Sequence, residues 1–87
     1  MPYQVEFTPS AEKDLAALPA KIQRQVGVRI DALAADPRPD GVVKLKGGKN
    51  EYRIRSGDFR ILYQVFDDRI LVVVVRIADR KDVYWDR

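Results

Sequence analysis

Three arginines crowd the run Tyr52-Arg53-Ile54-Arg55-Ser56-Gly57-Asp58-Phe59-Arg60, and three lysines, Lys44, Lys46 and Lys49, lie just before it. From Lys44 to Arg60 six basic residues stand against two acidic ones, Glu51 and Asp58. Arginine forks match phosphate oxygens, and every neutralised phosphate releases counterions, so such a cluster suits a phosphodiester backbone. The 87-residue chain contains no histidine and no cysteine. That excludes the usual acid/base near neutral pH, a thiolate nucleophile, a disulfide framework and a Cys-based zinc site. Any catalysis runs on Arg, Lys, Asp, Glu, Tyr or backbone groups, with no metal or other cofactor expected. The net charge of +3 is unevenly spread: residues 1–43 carry 5 Lys+Arg against 6 Asp+Glu, residues 44–87 carry 11 against 7. A basic half favours RNA, DNA or an acidic protein as partner; an ordinary basic surface is the alternative.

The elements that must position these cations follow from periodicity. At 46% hydrophobic and 33% charged residues, the chain reads as one small domain over 1–87. Tyr3 to Thr8 alternates with the period of a half-buried strand. Thr8-Pro9 is an N-cap and first helical residue. Ala11, Leu15 and Leu18 make the stripe of a first helix, which Pro19 stops. Ile22, Val26, Ile30 and Leu33 make the stripe of a second helix over Ala20 to Ala35. After the turn-rich Asp36 to Gly41 come strands at Val43 to Lys46, Glu51 to Ser56, Phe59 to Phe66 and Arg69 to Ile77. The run Ile70 to Val75, apolar on both faces, belongs inside the sheet. It is also the longest apolar run, far short of a membrane span, and the start shows no signal-peptide pattern, so the chain reads as cytoplasmic. The expected fold is α+β, in the order βααββββ, with a helical hairpin packed on one face of a mostly antiparallel, twisted sheet.

A two-residue loop at Gly57-Asp58 fixes the register of the central hairpin. Ser56 then faces Phe59, Arg55 faces Arg60, Ile54 faces Ile61, Arg53 faces Leu62 and Tyr52 faces Tyr63. Tyr52, Ile54, Ile61 and Tyr63 share the helix side; Arg53, Arg55 and Arg60 share the other. A three-residue loop would put Phe59 opposite Arg55 and mix charge into the apolar face. Arg55 directly opposed to Arg60 destabilises a hairpin unless an anion sits between them. Surface ion pairs to Glu51, Asp58 or Asp79 are the alternative. With a second two-residue turn at Asp67-Asp68, the same face carries Leu62, Phe66, Leu71, Val73 and Val75. That is too apolar for open solvent, so either Val83 and Trp85 fold over part of it or a partner does. Trp85 reads as core packing, whereas Tyr84 beside a basic face can stack on an unpaired base.

The segment Lys44-Leu45-Lys46-Gly47 leading to Tyr52-Arg53-Ile54-Arg55-Ser56-Gly57-Asp58-Phe59-Arg60-Ile61-Leu62-Tyr63-Gln64-Val65 resembles the central signature of the RelE family of toxins from type II toxin–antitoxin pairs. Arg80-Lys81-Asp82-Val83-Tyr84 resembles the family's C-terminal signature, and the similarity runs over essentially the whole chain. The resemblance implies the RelE-like microbial RNase-type fold and a ribosome-dependent endoribonuclease that cuts mRNA in the A site and so inhibits translation. It implies metal-independent attack of the substrate 2′-hydroxyl on the adjacent phosphate. It assigns Arg53 and Arg55 to the scissile phosphate, Arg60 to the developing charge, Arg80 to the leaving 5′-oxygen and Tyr84 to a stacked base. Lys44, Lys46 and Lys49 would hold mRNA or ribosomal RNA phosphates. The implied partners are the ribosome, mRNA and a cognate RelB-like antitoxin. The antitoxin would bring an acidic segment, bury Leu62 and Phe66, and form a hetero-oligomer with the toxin. Two departures stand out: Arg53 and Arg55 replace lysines of the best-understood members, and Asp79 occupies a position where many relatives have histidine. The arginines can hardly deprotonate, so no base is assigned. ParE-like toxins, which share the fold but bind DNA gyrase without nuclease residues, and a non-catalytic RNA-binding module are the alternatives.

Overall fold

The change of period at Thr8 separates β1 (Gln4–Phe7) from α1 (Pro9–Ala16) in the computed structural model, which describes residues 2–79. Arg80, Val83, Tyr84 and Trp85 therefore lie outside the described residues. Thr8 does three things at this junction. Its Oγ1 accepts from Ala11 N at 3.1 Å as the N-cap of α1, its backbone N–H donates to Val74 O at 2.9 Å, and its hydroxyl donates to Val75 O at 2.9 Å. Pro19 precedes α2 (Ala20–Ala35), which is followed by β2 (Val43–Lys44), β3 (Glu51–Ser56), β4 (Phe59–Phe66), a 3-10 turn at Asp67–Arg69 and β5 (Leu71–Asp79).

The sheet order is β1-β5-β4-β3-β2, with β1 parallel to β5 and every other pair antiparallel. This is the expected βααββββ order, and the apolar β5 lies inside the sheet with β1 and β4 on either side. Ala11 of α1 and Val26, Ile30 and Leu33 of α2 bury their stripes against Tyr52, Ile54, Ile61, Tyr63, Val65, Val72, Val74 and Ile77. Each fully buried aliphatic side chain contributes about 1.5–3 kcal/mol of transfer free energy, so these stripes hold the helices to the sheet.

Three expectations need correction. The β4–β5 connection is four residues, 67–70, rather than two, and Phe66 pairs with Leu71. Ile70 adopts the left-handed conformation, φ 51° and ψ 51°, that lets the chain reverse. Because the slip is two residues, every β5 side chain up to Val74 keeps its expected face. Next, Val75 is the extra residue of a β-bulge: Tyr63 pairs with Val74 but Leu62 with Arg76. Beyond the bulge the alternation inverts, so Arg76 rather than Val75 stands opposite Leu62. The parallel edge explains why this is tolerated: β1 ends at Phe7, Thr8 takes the bulge carbonyl, and Asp14 of α1 accepts from Ile77 N at 2.9 Å and from Arg76 Nε at 2.8 Å. Finally, β2 is shorter than Val43 to Lys46, because Gly47, at φ 84°, begins to turn the chain.

Candidate functional site

The β3–β4 hairpin has the register read from the sequence: Ser56 opposite Phe59, Arg55 opposite Arg60, Ile54 opposite Ile61, Arg53 opposite Leu62 and Tyr52 opposite Tyr63. Its two-residue loop needs a backbone with positive φ at the first position, which Gly57 supplies at 58°. Arg53, Arg55 and Arg60 are thereby brought onto the sheet face that the helices leave open, with Arg55 exposed and Arg53 and Arg60 half-buried. Among the described residues no carboxylate pairs with Arg55. The outer edge of β3 is covered by β2 only at Tyr52 and Arg53. Past that point α2 takes over, where Arg29 Nε donates to the Arg55 carbonyl at 3.2 Å. A helix thus braces the backbone of a candidate phosphate-contacting residue.

The lysines divide. Lys44 pairs with Tyr52, so it lies on the helix side of the sheet rather than with the arginines, and Val43, opposite Arg53, takes the arginine side. Lys46 and Lys49 are exposed in the connection between β2 and β3, which is held by Leu45 N donating to Glu51 O at 2.9 Å and Val65 N donating to Asn50 O at 2.9 Å. In that connection a side chain at Gly48 would collide with the Glu51 carboxyl group. Leu62 and Phe66 are half-buried on the open face, together with Leu71 and Val73, and the Arg69 guanidinium sits 5.5 Å from the Phe66 ring centre. The arginine end and the apolar end of this face are continuous along β4. Arg80 and Tyr84 lie outside the described residues. Among the described residues no group of three or more His, Cys, Asp or Glu could hold a metal.

A polar cluster that sequence reading missed sits at the far end of the hairpin. Arg38 reaches Asp67 with both terminal guanidinium nitrogens, at 2.8 and 3.2 Å, and donates from Nε to the Tyr52 hydroxyl at 3.0 Å. Tyr3 donates to the same Asp67 carboxylate at 2.6 Å. Tyr52 stacks on Tyr63, ring centres 5.9 Å apart, and the buried Tyr63 hydroxyl donates to Pro37 O at 2.7 Å. The bonds from Arg38 and Tyr3 hold the Asp67 carboxyl below the usual carboxylate range, and the Asp67 bond raises Arg38 and Tyr3. Burial raises the Tyr63 phenol. Arg38, Tyr3 and Tyr63 all donate to protein acceptors, so the cluster anchors the hairpin. Arg29 and Arg76 were also missed as site neighbours, the first because helical spacing alone does not say which strand a helix braces.

Comparison with known proteins agrees with this fold. Residues 5–84 match the family described as ParE toxin of type II toxin-antitoxin system, parDE. The chain is 35% identical over 88 residues to a putative RelE-like toxin protein of Escherichia coli, covering 97% of this chain and 92% of the relative. It is 30% identical, with the same coverage, to the mRNA interferase toxin RelE of Escherichia coli strain K12. The crystal structure of the archaeal RelE–RelB complex from Pyrococcus horikoshii OT3 superposes with a TM-score of 0.82 at 29% identity, covering 94% of this chain and 99% of that one.

Proposed function

The chain belongs to the RelE/ParE superfamily of type II toxin–antitoxin toxins, and on that premise we propose that it is a metal-independent endoribonuclease that cuts mRNA in the ribosomal A site. The observation that carries this reading is Arg55 held opposite Arg60, with Arg53 beside them, on the face the helices leave open. Guanidinium groups grouped in this way present forked donors that match the oxygens of one phosphate. In the reaction the substrate 2′-oxygen forms a bond to the adjacent phosphorus, the bond from phosphorus to the 5′-oxygen breaks, and a 2′,3′-cyclic phosphate results. The 2′-hydroxyl proton goes to solvent hydroxide, and the departing 5′-oxygen takes a proton from water, which regenerates the hydroxide. Arg53 and Arg55 hold the phosphate oxygens in line, and Arg60 stabilises the charge that develops on them. By the family resemblance Arg80 serves the leaving oxygen and Tyr84 stacks on a base. Lys46 and Lys49, on the loop beside β3, take flanking phosphates.

The open face also suggests how the toxin is restrained. Leu62 and Phe66 adjoin the arginines, so an antitoxin segment carrying both apolar and acidic residues would bury the first pair and neutralise Arg55 or Arg60. The Pyrococcus horikoshii relative was crystallised as a complex with RelB. A Phe66→Asp change should weaken that binding and raise its salt sensitivity.

A second reading is favoured by the family description itself, which is that of ParE toxin, and by arginine at positions 53 and 55. In it the basic face binds DNA gyrase and cuts nothing. Primer extension on an mRNA under translation, when the protein is induced, separates the two. Cuts inside codons support the nuclease; intact message together with inhibited supercoiling supports the gyrase reading.

A further inference from the structure

The basic surface does not stop at the sheet. On α2, Lys21, Arg24, Gln25 and Val28 recur at i, i+3, i+4 and i+7, all exposed, with Val28 at 71%. Two contacts fix how this stripe runs. Arg29 Nε donates to Arg55 O at 3.2 Å, and a Cβ placed at Gly57 would stand 4.0 Å from Gln25 Oε1. Position 29 therefore lies beside 55 and position 25 beside 57, so α2 runs antiparallel to β3 along its outer edge. One turn further toward the helix start, about 6 Å along the axis, Lys21 lies beyond the hairpin tip, with Arg24 one residue before Gln25.

We propose that this outward ridge of α2, Lys21 and Arg24 continuous with Arg29 and the Arg55 edge, is a second phosphate-contacting surface that grips structured RNA flanking the strand held by the arginine face. The inference rests on the RNA reading above and deepens it by naming where the substrate's folded surroundings dock. Among the described residues neither Lys21 nor Arg24 has a carboxylate partner. The nearest acids along this path are Asp31, at the other end of the helix, and Asp58 in the hairpin tip. Like charges at i, i+3 weaken an isolated helix, so the ridge has no local reason to be basic. Its chemistry discriminates between partners. Val28 and Ala32 are its only apolar contributions, too little for the apolar centre a protein interface needs. Long cationic side chains without an apolar floor suit phosphates read as shape rather than sequence. The ridge lies around the sheet edge from the open face, where the phosphates of a folded RNA, spread over more than one strand, would reach it.

The test compares Lys21→Gln/Arg24→Gln with Lys13→Gln, an exposed cation on α1, using vacant ribosomes and a hairpin RNA as probes over a KCl series. Two lost phosphate contacts should lower the slope of log affinity against log salt by about 1.4–1.8, and affinity at low salt should fall about tenfold or more, with melting temperature unchanged. Lys13→Gln should move the slope by much less than half that amount. Equal slopes for wild type and double variant would overturn the proposal, as would the same change per charge at Lys13. Loss of binding to an acidic peptide with RNA binding intact would assign the ridge to a protein partner and overturn it too. Arg55→Gln keeps the failures apart: it should lose cleavage yet retain the slope that depends on α2. A wild type that binds with this slope but never cuts would sink the nuclease reading while leaving the ridge in place.

Discussion

The two ends of the β3–β4 hairpin use arginine in opposite ways. At the end near the β4–β5 turn, Arg38 is committed: a carboxylate at 2.8 Å, a tyrosine hydroxyl at 3.0 Å and the Tyr52 ring at 5.1 Å occupy its guanidinium. At the tip, Arg55 is exposed opposite another arginine, and α2 touches its backbone carbonyl but not its charge. The first arrangement stabilises a fold; the second leaves the Arg55 charge without a carboxylate partner among the described residues and so open to an anion. A rigid anchor at one end helps to hold the two arginines in register at the other. The same pair of strands, β3 and β4, supplies both scaffold and site.

This contrast can be broken most visibly at the tip. Arg55→Ala or Arg60→Ala should reduce cleavage on programmed ribosomes by about 10²-fold or more, and for Arg55, whose side chain is exposed, the circular dichroism melt should stay near wild type. A variant that lost stability and activity in parallel would make these arginines structural. At the anchored end the order reverses. Tyr63→Phe leaves the buried Pro37 carbonyl without its donor and should cost about 1–2 kcal/mol, read as several degrees of melting temperature, with the saturated cleavage rate of the folded fraction unchanged.

Acid and alkali should also act on the anchor rather than the tip. Asp67 is held below its ordinary value in the folded chain, so its contribution is present above the unfolded value and is lost as pH falls, from about pH 4 downward. Tyr63 is raised, so its contribution is complete below the unfolded value and is lost as pH climbs above about pH 10. Arg38→Gln should flatten the acid limb of a melting-temperature profile, while the alkaline limb, set chiefly by the burial of Tyr63, persists. The smallest effect is expected in the turn itself. Ile70 holds a left-handed conformation that a β-branched residue disfavours, and it is 41% exposed. Ile70→Gly should therefore stabilise by less than about 1 kcal/mol, the relieved strain exceeding the entropy that glycine brings. A destabilised Ile70→Gly would show that the side chain's partial burial outweighs that strain.

The parts of the fold legible in the sequence were those where polarity alternates with a clear period. Tyr52 to Arg55 alternates apolar and charged residues, Arg60 continues the charged side across the loop, and a loop of wrong parity would mix arginine into the apolar face, so register and faces could be read directly. The stripe Ile22, Val26, Ile30 and Leu33 placed α2 in the same way. Where neighbouring residues are alike, the period falls silent. Val72 to Val75 are four valines, and nothing in them marks Val75 as the bulge that turns Arg76 toward Leu62. The pair Val43-Lys44 is too short to alternate, which is why Lys44 was grouped with arginines it does not join. The Arg38–Asp67 pair links residues far apart in the chain, one from a proline-rich turn, and was legible only once β1, β3 and the β4–β5 turn had been brought together.

The most direct test of the central claim, that the arginine end cleaves RNA through position and charge rather than through a titrating side chain, is the pH dependence of single-turnover cleavage on programmed ribosomes, with product ends identified. The expected result is 2′,3′-cyclic phosphate ends and a log rate that keeps rising with pH to the limit of ribosome stability, since hydroxide makes the attacking alkoxide. Arg55→Lys should be slower and add a break where the lysine titrates. A bell-shaped wild-type profile centred near neutral pH would contradict the claim and place the base on a shifted lysine or tyrosine.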